Sequence, residues 1–75
     1  MNKAEEYVKK VTGIKKTLAD RVYSIYPNYD YACGIILHTK NNEECQRVLD
    51  YIDTHPDVDI STLVLLSLQI DQERQ

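Results

Sequence analysis

Apolar residues recur at intervals of three or four along the first third of the chain. Between residues 3 and 26 they form one stripe, made of Tyr7, Val11, Ile14, Leu18, Val22 and Ile25. This period is typical of an amphipathic α-helix with one buried side. Asn2 precedes the stripe with Glu5 three residues later, which is a capping-box spacing, and Pro27 stops the helix. Because the stripe keeps its phase across Gly13, the pattern predicts one long helix over residues 3–26.

The segment from Tyr31 to Leu37 has no readable period. Its residues are all apolar or small, a composition that fits a buried strand as well as a short buried helix. A strand needs a pairing partner, and the rest of the sequence contains no second convincing strand. We therefore predict a short helix over residues 31–38 with Asp30 as its N-cap. An α+β fold is the alternative if this segment is a strand.

Two further helices begin at clear capping residues. Asn41, with Glu44 three residues later, predicts a helix over residues 42–54 that ends before Pro56. Asp59 predicts the start of a last helix over residues 60–73. Apolar residues cover more than half of the circumference of that last helix. They are Ile60, Leu63, Val64, Leu66, Leu68 and Ile70, and Leu65 extends this apolar surface. A helix this apolar is either central in its bundle or shared with another chain.

These elements predict an all-α fold, a small bundle of three to four helices that forms a single domain over residues 1–75. The chain has 43% hydrophobic and 28% charged residues, with two Gly and two Pro, which excludes collagen-like and low-complexity classes. One core in a chain of this size supplies only about 3–5 kcal/mol of stability. Small proteins therefore commonly add a disulfide, a metal or a partner.

Neither a secretory signal nor a membrane span is predicted. Charged residues follow Met1 almost at once, and the longest apolar run near the C-terminus covers only residues 63–66. A transmembrane helix needs roughly 18 or more apolar residues. We expect a cytoplasmic protein without membrane contact, in which Cys33 and Cys45 are reduced thiols.

Charge is distributed unevenly along the chain. Residues 1–25 carry six basic and three acidic side chains, a net charge of +3, whereas residues 26–75 carry three basic and nine acidic side chains, a net charge of −6. The first segment could present a basic surface to nucleic acid, with candidate residues Lys9, Lys10, Lys15, Lys16 and Arg21. The acidic remainder disfavours nucleic acid as a partner. We favour oppositely charged solvated surfaces that attract each other within the monomer or across a dimer.

No residue pattern indicates catalysis or a bound cofactor. Residue types that bind zinc are present, but their intervals lack the close pairs of metal-binding knuckles: Cys33, His38, Cys45 and His55. No glycine-rich phosphate loop occurs, and no acid/base or nucleophile/base pair has a suitable spacing. We expect no catalytic residue, no metal, no cofactor and no enzymatic activity.

Four tyrosines surround Pro27 in a chain that contains neither Phe nor Trp. Tyrosine combines an apolar ring with a polar tip and is enriched at recognition surfaces. At least half of these rings are expected to serve the core. The candidate interface residues are Leu65, Leu68, Tyr26, Tyr29 and Tyr31.

The functional hypothesis is a non-enzymatic protein–protein interaction or regulatory module. Excess apolar surface predicts a homodimer through the last helix and part of the long first helix, because uncovered apolar patches mark interaction sites. Surface left free by dimerisation would bind an unidentified protein. The alternative is a nucleic-acid-associated regulator that uses the basic first helix.

Overall fold

Five α-helices and no strand make up residues 2–75, the part of the chain that the computed structural model describes. They are α1 (Lys3–Lys10), α2 (Gly13–Ile25), α3 (Tyr29–His38), α4 (Asn42–Thr54) and α5 (Ile60–Arg74). The all-α prediction is confirmed, and the strand alternative for residues 31–38 is wrong. The helix count is five rather than three or four. Within residues 2–75, no helix combines the length and the hydrophobicity that a membrane span requires.

The predicted single helix over residues 3–26 is two helices, α1 and α2. Gly13 has a φ of +67°, a left-handed conformation that the interior of an α-helix does not contain. Thr12 is extended, and the Val11 amide ends α1 by donating to the Tyr7 carbonyl oxygen at 3.1 Å. A continuous helix over these residues would be about 36 Å long. The longest dimension of the domain is 31 Å, so the break keeps both halves against one core.

α3 is the central helix of the bundle. It packs against α1, α2 and α5, and it buries Ala32, Ile35 and Ile36. A helix that is surrounded on several sides has little polar surface, which explains the missing period in its sequence. The helix begins two residues earlier than predicted, and its N-cap is Asn28 rather than Asp30. The Asn28 Oδ1 atom accepts a hydrogen bond from the Asp30 amide at 2.8 Å.

The remaining side-chain N-caps are those that the sequence predicts. Asn2, Asn41 and Asp59 each accept a hydrogen bond from the amide three residues further on, at 2.7, 2.8 and 2.9 Å. The capping box at Asn41 is only half formed. The Glu44 carboxylate accepts from the Lys40 amide at 2.8 Å and does not return to Asn41. Local sequence signals therefore define the starts of α1, α4 and α5.

Every helix contributes to one core. Its buried apolar residues are Val8, Leu18, Ala19, Val22, Ala32, Ile35, Ile36, Cys45, Val48, Leu49, Ile52, Leu63 and Ile70. Cys33 is half-buried beside it, and Cys33 and Cys45 are both free thiols. The core therefore has no disulfide between these two cysteines, one of the additions that stabilise many small domains.

Ion pairs connect different helices of the domain, and one of them joins the basic segment 1–25 to the acidic remainder. Arg21 on α2 contacts Asp53 on α4 at 2.7 Å. At the end of α5, the Arg74 guanidinium donates to the Glu44 carboxylate at 2.9 Å and to the His38 carbonyl oxygen at 2.7 Å. The Arg74 contacts tie the last turn of α5 to α3 and α4.

Candidate interaction surface

The outward side of α5 exposes two leucines. Ser61, Leu65, Leu68 and Gln72 lie on one side of the helix, because their spacing of four, three and four residues follows its turn, and all four are exposed. We call these residues the α5 outer face. Leu65 is 67% exposed and Leu68 is 38% exposed. The α5 outer face carries no charged residue.

The inward side of α5 buries a serine between two apolar residues. Leu63, Ser67 and Ile70 are almost fully buried, and Ser67 is only 1% exposed. The Ser67 hydroxyl donates to the Val64 carbonyl oxygen at 2.8 Å, so it has a partner inside its own helix. Fully burying a leucine stabilises a protein by about 1.5–3 kcal/mol. A helix that served only to cover the core would therefore place leucine inward and serine outward, the reverse of what α5 does at these positions.

Both leucines named from the sequence lie at the surface because α5 packs against two neighbours, α3 and α4. Val64 flanks the α5 outer face and is half-buried, whereas Leu66 lies nearer the inward side and packs against the core. Leu37 on α3 is a further exposed leucine, at 44%, and it is not among the candidate interface residues predicted from the sequence. Leu37 is the last residue of an apolar run that lacks helical periodicity. The sequence therefore gives no indication of which residues in this run face the solvent.

The tyrosines around Pro27 form two ring pairs. Tyr26 and Tyr31 are about 40% exposed, and their rings meet edge to face with centroids 5.1 Å apart. Tyr29 is half-buried against the core, and its ring stacks on that of Tyr23 at 4.5 Å. The Lys9 ammonium lies 5.9 Å from the Tyr29 ring centroid. Burial, followed by the neighbouring Tyr29, raises the pKa of the Tyr23 hydroxyl. Two of the three candidate tyrosines are thus available at the surface.

The basic residues of the nucleic-acid alternative lie on α1 and α2, and three of them are paired within the chain. These pairs are Lys9 with Glu5 at 2.7 Å, Lys16 with Asp20 at 3.5 Å, and Arg21 with Asp53 at 2.7 Å. Lys10 and Lys15 are the other two candidates. Binding to phosphates depends on cations that can release counterions from nucleic acid. Internal pairing therefore weakens this alternative.

Residue types that bind zinc are not gathered into one site. Within residues 2–75, no three His, Cys, Asp or Glu side chains form a group that could hold a metal ion. Cys45 is buried, and its Sγ atom lies 3.7 Å from the Thr39 carbonyl oxygen. Burial, together with the Asp30 carboxylate, raises the pKa of the Cys33 thiol. A raised pKa lowers the thiolate fraction, so Cys33 is not arranged as a nucleophile.

Comparison with models of protein families, curated proteins and solved structures gives no significant match for this chain. Leu65 is the most exposed large hydrophobic side chain within residues 2–75.

Proposed function

We propose that this chain is a non-enzymatic interaction module that self-associates through the α5 outer face. The observation that carries the proposal is the inverted placement on α5, where Ser67 is buried while Leu65 and Leu68 face water. The apolar positions of α1 and α2 serve the core instead, through Val8 and Leu18 among others. We therefore confine the proposed interface to α5 and its flanks.

A second copy of the chain is the occupant that we propose for the α5 outer face. Each copy has a net charge of −3 at pH 7, so two copies repel each other where their acidic surfaces meet. The α5 outer face is uncharged and offers an approach without that repulsion. A two-fold axis between Leu65 and Leu68 would place Leu65 of one copy against Leu68 of the other. The two helices would then run antiparallel, which also pairs opposite ends of their dipoles.

The exposed area sets the expected strength of the dimer. Scaling about 1.5–3 kcal/mol per buried leucine by exposures of 67% and 38% gives about 2 kcal/mol for each copy. The dimer therefore gains about 4 kcal/mol from these leucines, roughly half of what a micromolar dissociation constant requires. A standard interface takes about 800 Å² per partner, about one sixth of the 4711 Å² surface of the chain. The half-buried Val64 beside the α5 outer face would supply part of the remainder.

Sedimentation equilibrium at micromolar concentration tests the proposal. The unmodified chain is expected to show a monomer–dimer equilibrium. In Leu65→Glu, each copy loses an apolar contact and faces its partner with a carboxylate. We expect the dissociation constant to rise by at least about 100-fold, equivalent to about 3 kcal/mol.

Leu37→Glu is the matched control. It makes the same chemical change at an exposed leucine of α3, and we expect the dimer to persist. A parent protein that is monomeric throughout the micromolar range would refute the proposal. Loss of the dimer in Leu37→Glu with retention in Leu65→Glu would place the interface elsewhere. Surface that self-association leaves free would bind another protein, giving the module an adaptor or regulatory role.

A further inference from the structure

A surface cleft lies between the last turn of α4 and the first turn of α5. Its volume is about 390 Å³, and its lining includes Tyr51, His55, Asp57, Val58, Asp59 and Thr62. The cleft contains neither Leu65 nor Leu68, so it is separate from the proposed self-association surface. It combines an aromatic wall with carboxylates, and no lysine or arginine lines it.

The aromatic wall is a stacked pair. The Tyr51 and His55 rings lie 3.9 Å apart between centroids and are inclined by 11°. The His55 Nδ1 atom lies 3.0 Å from the Tyr51 carbonyl oxygen. A proton on Nδ1 fits this contact, because a carbonyl oxygen only accepts, and the Thr54 hydroxyl oxygen at 3.0 Å from the same Nδ1 atom can then act as a second acceptor. In the neutral ring the Nε2 atom then has a free lone pair that can accept a hydrogen bond from a ligand.

The two carboxylates of the cleft differ in their partners. The Asp59 Oδ1 atom accepts from the Thr62 amide at 2.9 Å as the N-cap of α5, and this bond holds the pKa of the carboxyl below its ordinary value. The Asp57 side chain forms no ion pair or hydrogen bond with other residues of the described range 2–75. The cleft therefore offers one unpaired carboxylate beside a second carboxylate that stays ionised.

We propose that this cleft binds an arginine side chain projected from a partner protein. A guanidinium group stacks on aromatic rings and matches a carboxylate with two parallel hydrogen bonds. The planar group would stack on the outer side of the Tyr51–His55 ring pair. Val58 would contact its aliphatic stem, and Asp57 would neutralise its charge. A cation near an aromatic face gains further from the ring quadrupole. This inference extends the proposed interaction role by naming the chemistry of the partner.

Titration with N-acetyl-arginine amide, followed by the amide signals of the ¹⁵N-labelled protein, tests the site. We expect saturable changes in the signals of Tyr51, His55 and Thr62. N-acetyl-citrulline amide has nearly the same shape without the charge, and it is expected to leave these signals unchanged. Asp57→Asn should weaken arginine binding by about two- to fivefold, the effect of one exposed ion pair.

Asp50→Asn is the matched control variant. Asp50 lies on α4 outside the cleft and accepts from the Gln46 side chain at 2.8 Å, so this change removes the same charge at a distance. Equal weakening in Asp50→Asn and Asp57→Asn would overturn the proposal, because binding would then reflect net charge alone. Citrulline changes as large as those of arginine, or no saturable arginine effect at millimolar concentration, would also overturn it. Repeating the titration on Leu65→Glu separates this site from self-association, since the cleft is expected to bind arginine in the monomer as well.

Discussion

Replacing Gly13 with alanine tests the division between α1 and α2. Gly13 is the position with a positive φ within residues 2–75, at +67°. A Cβ atom added there meets nothing within 4 Å. Steric contact with the rest of the domain is therefore excluded, and the effect of Gly13→Ala depends on the backbone alone.

Two opposing effects determine how Gly13→Ala changes the free energy of unfolding. A left-handed conformation costs an alanine roughly 1–2 kcal/mol relative to a right-handed one. Removing a glycine also restricts the unfolded chain, which gives back about 0.4–1 kcal/mol. We expect Gly13→Ala to lower the free energy of unfolding by about 1 kcal/mol. A loss of this size lowers the melting temperature of a domain this small by about 4–8 °C.

Gly34→Ala is the internal comparison. Gly34 lies within α3, and a Cβ added there also meets nothing within 4 Å. Alanine is the better residue in a helix interior by about 0.5–1 kcal/mol, so this variant is expected to be more stable than the parent. The same added methyl group should thus have opposite effects at the two positions.

Urea denaturation followed by circular dichroism at a fixed protein concentration measures both variants. Fixed concentration matters because self-association would shift the apparent stability. If residues 3–26 formed one continuous helix, Gly13→Ala would stabilise the protein as Gly34→Ala does. An increase in the unfolding midpoint of Gly13→Ala would refute the division into two helices.

Acid denaturation and core packing supply two further predictions. The Lys40 amide and then the Arg74 guanidinium lower the pKa of Glu44 from its ordinary value of 4.5. A lowered folded-state pKa contributes stability that is present above the ordinary value and is lost as the pH falls through the folded value. Urea midpoints at about pH 6 and about pH 3 should therefore differ less in Glu44→Gln than in the parent, and an equal difference would contradict the assignment. Ser67→Leu should destabilise the domain by about 1–3 kcal/mol through overpacking, although it makes α5 more apolar. Ser67→Ala serves as its control, and a rise in the melting temperature of Ser67→Leu would contradict the close packing around this residue.

The starts of α1, α4 and α5 could be predicted because capping acts over three or four residues. Asn41 and Asp59 each accept a hydrogen bond from an amide within their own first turn, so the signal and its partner are neighbours in the sequence. The break before Gly13 could not be predicted in this way. The apolar stripe keeps the same phase on both sides of the break, so the pattern does not mark it. The break is visible only in the tertiary structure, where α1 and α2 both pack against α3.

The sequence predicts that α5 has more apolar surface than the core can cover, but it does not predict the position of every exposed residue. A helix with apolar residues around more than half of its circumference cannot bury all of them against two neighbours, so exposure of residues such as Leu65 followed from the sequence. The burial of Ser67 did not, because it depends on where α3 and α4 meet α5. Tyr29 and Leu37 show the same limit. The first is half-buried against the core, and the second is exposed at the end of an apolar run.

Short-range chemistry along the chain is enough to establish an all-helical domain, three of its side-chain N-caps and an excess of apolar residues near the C-terminus. Packing between distant segments establishes the rest: two helices in place of one, the central position of α3, and the outward direction of Leu65 and Leu68. The physical reason for this division is that the periodicity of a sequence shows how much of a helix surface is apolar. It does not record which neighbours cover that surface, because those contacts join residues far apart in the chain.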